Sequence, residues 1–137
     1  MRMALAAAAS AISLAACTQG GSAPDLGPGL NAGRETFNSV CAACHGGNGQ
    51  GGSAPALTEV VETFSICADQ IEWISLGSER YQEEVGPTYG DQDKEITAVM
   101  PEFGKSLSES EIAQVAAFER HQFGGDPEAT ARSEFGL

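Results

Sequence analysis

The sequence predicts an all-α domain of three to four helices. Two observations predict it. Four segments carry helix signals: apolar residues spaced three and four apart, a capping pattern, or a terminating glycine. The flanks of the cysteine pair Cys41 and Cys44 show no alternating apolar strands. At 137 residues there is room for one such domain.

Residues 1–16 read as a signal peptide outside that domain. Arg2 gives a short positive start, and Ala4 to Ala16 is apolar apart from Ser10 and Ser13. The run is too short for a membrane-spanning helix. It ends in Leu14-Ala15-Ala16-Cys17, which resembles a bacterial lipobox. Cys17 is then the lipidated N-terminus of an exported, membrane-anchored lipoprotein facing the periplasm or cell exterior. An ordinary cleavage site beside a chance cysteine is the plainer alternative. Thr18 to Gly29 reads TQGGSAPDLGPG, a flexible tether with a reach of roughly 20 Å.

The first helix covers Leu30 to Cys44, with Gly33, Phe37, Val40 and Cys41 sharing a face. Gly46 and Gly47 stop it. At its end stands Cys41-Ala42-Ala43-Cys44-His45. One helical turn puts both sulfurs on one side, where each can add to a vinyl group on one edge of a porphyrin. His45 then projects under the ring as the proximal iron ligand, and C-x-x-C-H is a c-type haem attachment signature. One such motif implies one covalent haem c.

Two other chemistries use paired cysteines. A thioredoxin-like redox pair needs a βαβ setting, which the flanks lack. A zinc site could draw on Cys41, Cys44, Cys67 and either His45 or His121. Cys67, however, stands alone, without the second paired ligand of usual zinc spacing. It reads instead as a buried free thiol, with intermolecular pairing as the alternative.

The run Gly46 to Gly52 is a glycine-rich loop. It lacks the Lys-Ser/Thr of a phosphate loop, so close approach to a flat ligand explains the glycines better. Pro55 follows. Its carbonyl can accept the second N–H of a metal-bound imidazole and so orient His45. Leu57 is an apolar contact for the ring face. The plainer reading of both is an ordinary turn and core residue.

Thr58 to Phe64 reads as a short helix. Asp69 reads as the N-cap of another through Leu76, ended by Gly77, with Trp73 as core. Ser78 to Val99 reads as a long loop with an irregular turn, covering one side of the cofactor. Tyr81 and Tyr89 lie in it and could bond a haem propionate or simply fill space. The loop ends at Met100-Pro101. Cleavage of the leader leaves Met100 as the sole methionine. Its thioether is a soft ligand for low-spin iron, which makes it the candidate sixth ligand. His121 is better explained as a cation near a helix C-terminus.

Ser108 to Glu111 is a capping box that starts the last helix, running to about Gln122 with Ile112, Val115, Ala116 and Phe118 inward. The domain closes at Phe123, and residues 124–137 read as a loosely held polar tail.

All nineteen acidic residues follow Cys17, whereas removing the leader deletes Arg2 and leaves six basic residues, a formal charge of −13. Such a surface repels nucleic acid and anionic lipid head groups. A membrane link would therefore rest on the acyl chain. Basic patches on redox donors and acceptors would be steered towards it.

The chain resembles the class I (monohaem) c-type cytochromes over roughly Leu30 to Phe123. The pieces that carry the resemblance are Gly33 and Phe37, Cys41-Ala42-Ala43-Cys44-His45-Gly46, Pro55 with Leu57, Met100-Pro101, and the capped helix bearing Phe118. The resemblance implies an α-helical fold around one haem, with the first and last helices crossing near Gly33. It implies thioethers at Cys41 and Cys44, axial bonds from His45 and Met100, and Pro55 orienting His45. The chain departs from the eukaryotic carriers in having only Lys94 and Lys105 as lysines. The function implied is single-electron transfer rather than enzymatic chemistry. The alternatives are a fixed haem subunit of an oxidase or dehydrogenase complex, and a haem sensor or enzyme with a displaceable sixth ligand.

Overall fold

The first helix is longer than the sequence suggests and is not uniform. In the computed structural model, which describes residues 23–137, α1 spans Pro28–Thr36, a π-helical turn spans Phe37–Cys41, and α2 spans Ala42–His45. They form one continuous helical segment. Pro28 opens it because its fixed φ suits a first turn, where an N–H would have no partner anyway. The Ala42 N–H donates to the Phe37 carbonyl, five residues back, which defines the π-turn. The leader, Cys17 and the tether as far as Ser22 lie outside the described residues.

The last long helix, α5 (Glu109–Gln122), crosses α1 at Gly33. A Cβ on Gly33 would overlap the Gln114 carbonyl oxygen and stand 2.9 Å from the Phe118 Cβ. That close approach brings the Phe37 ring to 5.7 Å from Phe118 and 4.9 Å from Phe123. Leu30, Phe37, Val115, Ala117 and Phe118 are buried in this core. Each large apolar side chain there contributes about 1.5–3 kcal/mol relative to exposure. The capping box sets where α5 begins. The Glu111 N–H donates to the Ser108 hydroxyl at 3.3 Å, and the Ser108 N–H donates to the Glu111 carboxylate at 2.8 Å.

Between these helices the chain is more ordered than the sequence suggests. The short helix α3 spans Val60–Thr63. The next, α4, spans Cys67–Glu84 and starts two residues before the expected cap, so Asp69 falls in its first turn. There its carboxylate suits the positive end of the helix dipole. Gly77 breaks the helical dihedrals with φ of 65°. The helix then resumes, which corrects the reading of Ser78 onward as loop. Tyr81 explains the difference. It is buried and meets Trp73 edge-on at 5.0 Å, so tertiary packing holds a polar segment helical. Further on, β1 (Thr88–Tyr89) and β2 (Lys94–Glu95) pair antiparallel, Thr88 opposite Glu95 and Tyr89 opposite Lys94. A 3₁₀ turn spans Phe103–Lys105. A second core of Ile74, Ile112 and Ala116 joins α4 to α5, with Met100, Phe103 and Leu107 packed on it.

The expected polar tail is also a correction. Glu128–Glu134 forms α6, with Ala131 fully buried. Phe135 packs on both cores, and Leu137 on the first. The Arg132 guanidinium donates to the Leu26 carbonyl at 3.3 Å, and Leu26 is buried. Packing thus reaches into the last residues of the expected tether. Arg120 ties the same region together: it is 2% exposed and donates to the Phe64 carbonyl at 2.7 Å and to Asp126 at 2.9 Å. The architecture is all-α, apart from the two-residue hairpin. Among the described residues no helix is long and apolar enough to cross a membrane.

Candidate functional site

A cavity opens between the end of α2, the 54–57 turn, α3, α4, α5 and the 94–100 segment. His45, Leu57, Trp73, Ile74, Met100 and Glu119 are among its walls. The two residues that the sequence marks as iron ligands, His45 and Met100, therefore face one space despite being 55 positions apart.

His45 is held from behind. Its Nδ1 lies 2.8 Å from the Pro55 carbonyl oxygen. A carbonyl only accepts, so the proton sits on Nδ1 and the Nε2 lone pair is left free. That is the tautomer a metal-binding imidazole needs. The loop between them folds back on α2: the Gly51 N–H donates to the His45 carbonyl at 2.7 Å, and the Ala54 N–H to the Cys44 carbonyl at 3.2 Å. None of Gly46 to Gly52 lines the cavity. Three of these glycines have positive φ, and Gly49 lies against the Phe123 ring. Turn geometry and packing account for them, rather than approach to a flat ligand.

Cys41 and Cys44 stand one turn apart on the same helical segment. Cys41 is 6% exposed, while Cys44 is open to solvent. The Cys41 thiol is pushed up to about 12, first by burial, then by the neighbouring Glu119 and Cys44. The zinc alternative would need Cys67 with them. Cys67 is instead half-buried, not fully buried as expected, and donates to Glu134 at 3.1 Å. Among the described residues no cluster of three or more His, Cys, Asp or Glu could hold a metal ion. His121 lies off the cavity, with its Nδ1 2.9 Å from the Asp126 carbonyl.

Met100 is positioned by the break in α4. The Met100 N–H donates to the Ser78 hydroxyl at 2.9 Å, and the Ser78 N–H donates to the Met100 carbonyl at 3.0 Å. A Cβ on Gly77 would come within 2.6 Å of that same carbonyl. Sequence reading missed both residues. The signal was the glycine at 77, taken as a stop when it also makes room for a crossing segment.

Trp73 is a cavity wall, with Tyr89 stacked on it at 4.3 Å. Tyr89 lines the cavity too, and burial raises its phenol. Tyr81 packs behind Trp73 instead.

Two polar residues in the walls were not foreseen. Glu119 is 5% exposed, and its carboxyl is pushed up to about 8 by burial, which the Gln70 hydrogen bond only partly offsets. Gln70 is 1% exposed and donates to Glu119 at 3.1 Å. The Gln70 carbonyl oxygen has no protein partner. Spacing could have found Glu119, which follows Ile112, Val115 and Ala116 on one helix face.

These groups fit a covalently held haem. Two thiols one turn apart lead directly into the imidazole that faces the cavity, a thioether lines it, and its walls are mainly apolar. No curated protein matches the chain. The family model described as Cytochrome c matches residues 30–121, more than half of the chain and all of the cavity's residues. On that match, the chain belongs to the cytochrome c family of haem-binding electron-transfer proteins.

Proposed function

We propose that this chain is a one-electron carrier with one haem c, closed on both faces by His45 and Met100. Cys41 and Cys44 carry the thioethers, Pro55 orients His45, and Leu57 lies against the ring. The haem supplies an iron that changes charge by one. The chain's own residues hold it, exclude water and set its potential. The observation that carries this reading is the His45–Pro55 bond at 2.8 Å, which leaves Nε2 free towards a cavity that Met100 also lines. Held by both His45 and Met100, the iron would have no position left for a substrate. Cys17 carries the acyl anchor on the extracytoplasmic side of a membrane. Redox proteins with basic patches dock on the acidic surface.

The test is the absorption spectrum of the chain from Thr18 onward, made in a host that attaches haem. The oxidised form should show the weak long-wavelength band of a methionine sulfur–iron bond. Met100→Ala should lose that band, become high-spin and keep its covalent haem. An unchanged band in that variant removes Met100 from the site. A colourless chain removes the haem. Mass spectrometry of the full-length product tests the anchor: an unmodified residue 17 refutes it.

A further inference from the structure

The buried pair Glu119 and Gln70 has no part in holding the iron, yet it lies in the cavity wall. A charged side chain is almost never fully buried without a counter-charge. Glu119 has none: its carboxylate's one hydrogen-bond partner among the described residues is the neutral Gln70 amide. Arg120, next to it on α5, turns away to Asp126, Glu134 and the Phe64 carbonyl.

We infer that Glu119 is a proton-binding site coupled to the haem electron, so that this carrier releases a proton when it is oxidised. The inference rests on the haem reading above. In the ferrous state the pocket holds no net iron–porphyrin charge, and the carboxyl stays protonated. Loss of the electron adds one positive charge to the same cavity, which favours the carboxylate. The O–H bond then breaks. Its electron pair stays on the Glu119 oxygen, the proton leaves to solvent, and the haem electron passes to the redox centre of a partner protein. Reduction reverses each transfer.

Gln70 is suited to serve both states. Its N–H donates to the carboxylate, as observed. Rotated by half a turn about its last torsion, it offers its carbonyl to the carboxylic O–H. The unpaired Gln70 oxygen is the acceptor which that second arrangement uses.

Other titratable groups near Glu119 are few. Cys41 belongs to the π-turn, His45 to α2, Tyr89 to β1 and Lys94 to β2. Haem attachment takes up Cys41 and His45. Lys94 bonds the Thr63 hydroxyl at 2.8 Å and Glu59 at 3.3 Å. Of the cavity walls, α3 and α4 contribute no charged side chain. The rival proton source is the pair of haem propionates.

The experiment is a spectroelectrochemical titration of the haem-loaded chain from about pH 4 to about pH 10, spanning the ordinary and raised carboxyl ranges. Over one window the ferric/ferrous equilibrium should shift tenfold per pH unit, one proton per electron. Glu119→Gln should flatten that window while leaving the axial bands unchanged. Gln70→Met, which removes the carboxylate's donor, should move it to higher pH. Infrared difference spectra of the wild type should lose a protonated carboxylic C=O band on oxidation, and Glu119→Gln should lack it. A flat wild-type titration, a slope that survives in Glu119→Gln, or an unchanged C=O band overturns the proposal. If Glu119→Gln fails to load, Gln70→Met decides between Glu119 and the propionates, because a propionate window would stay where it is. Haem content measured after denaturation separates the two readings. A chain without covalent haem defeats both, while a haem-loaded chain with no proton release defeats this one alone.

Discussion

Ser78 grips Met100 by both ends of its backbone. The Ser78 hydroxyl accepts the Met100 N–H at 2.9 Å, and the Ser78 N–H donates to the Met100 carbonyl at 3.0 Å. The segment bearing the candidate sixth ligand is thus fixed to α4 at the one place where that helix is broken. Ser78→Ala removes an acceptor from a part-buried amide, a loss of about 1–2 kcal/mol. The sulfur–iron band of the oxidised protein should then disappear at lower urea concentration than in the wild type. The far-UV helical signal at zero urea should not change.

Gly33→Ala should be far more damaging than a methyl group suggests. The added Cβ meets the Gln114 backbone carbonyl, which cannot rotate away as a side chain would. Separating α1 from α5 should cost about 3 kcal/mol, the upper end for overpacking. Thermal unfolding of the haem-loaded variant measures it. The near-UV aromatic signal of Phe37, Phe118 and Phe123 should weaken with it.

Arg120 is a buried cation whose partners come from two other parts of the chain. Arg120→Met keeps most of the packing volume but leaves Asp126 and the Phe64 carbonyl without their donor. Breaking such a pair costs about 3–5 kcal/mol. Limited proteolysis should cut first near residues 124–127 in the variant, because α6 loses its attachment.

Glu119 also gives stability a pH slope. Its carboxyl is raised by burial from the ordinary value of 4.5 to about 8. Below the ordinary value, folded and unfolded chains are both protonated there, and its contribution is fully present. As pH rises from there to about 8, the unfolded chain ionises first and binds fewer protons, so stability falls. Urea denaturation of the ferrous protein at several pH values should show this decline. Glu119→Gln should remove it.

What was legible in the sequence was what local chemistry decides. The Ser108 capping box, the glycine at the α1–α5 crossing and the C-x-x-C-H turn all depend on residues within one or two turns, or on a missing side chain. What was hidden depends on distant partners. Ser78–Glu84 has a polar composition that reads as loop, and it is helical because Tyr81 reaches Trp73 and Ser78 reaches Met100. The helix α6 is seven residues long, too short to be stable alone, and exists because Ala131 and Phe135 find apolar cover. Glu119 was passed over because a carboxylate is ordinarily a surface residue. Its position on the apolar stripe was the evidence against that.

The π-turn at Phe37–Cys41 has a consequence for phase. One surplus residue in a turn rotates everything after it by about 100° relative to a uniform helix. Gly33 and Phe37 are aimed at α5 before that offset, Cys41 closes the turn within the same core, and Cys44 and His45 are aimed after it. A single rod thereby serves two directions that no straight α-helix of this sequence could serve at once. Deleting one residue such as Asn38 would leave every named group in the chain and restore regular winding. The motif would then point elsewhere, and such a deletion should fold against α5 yet come out of a haem-attaching host without colour.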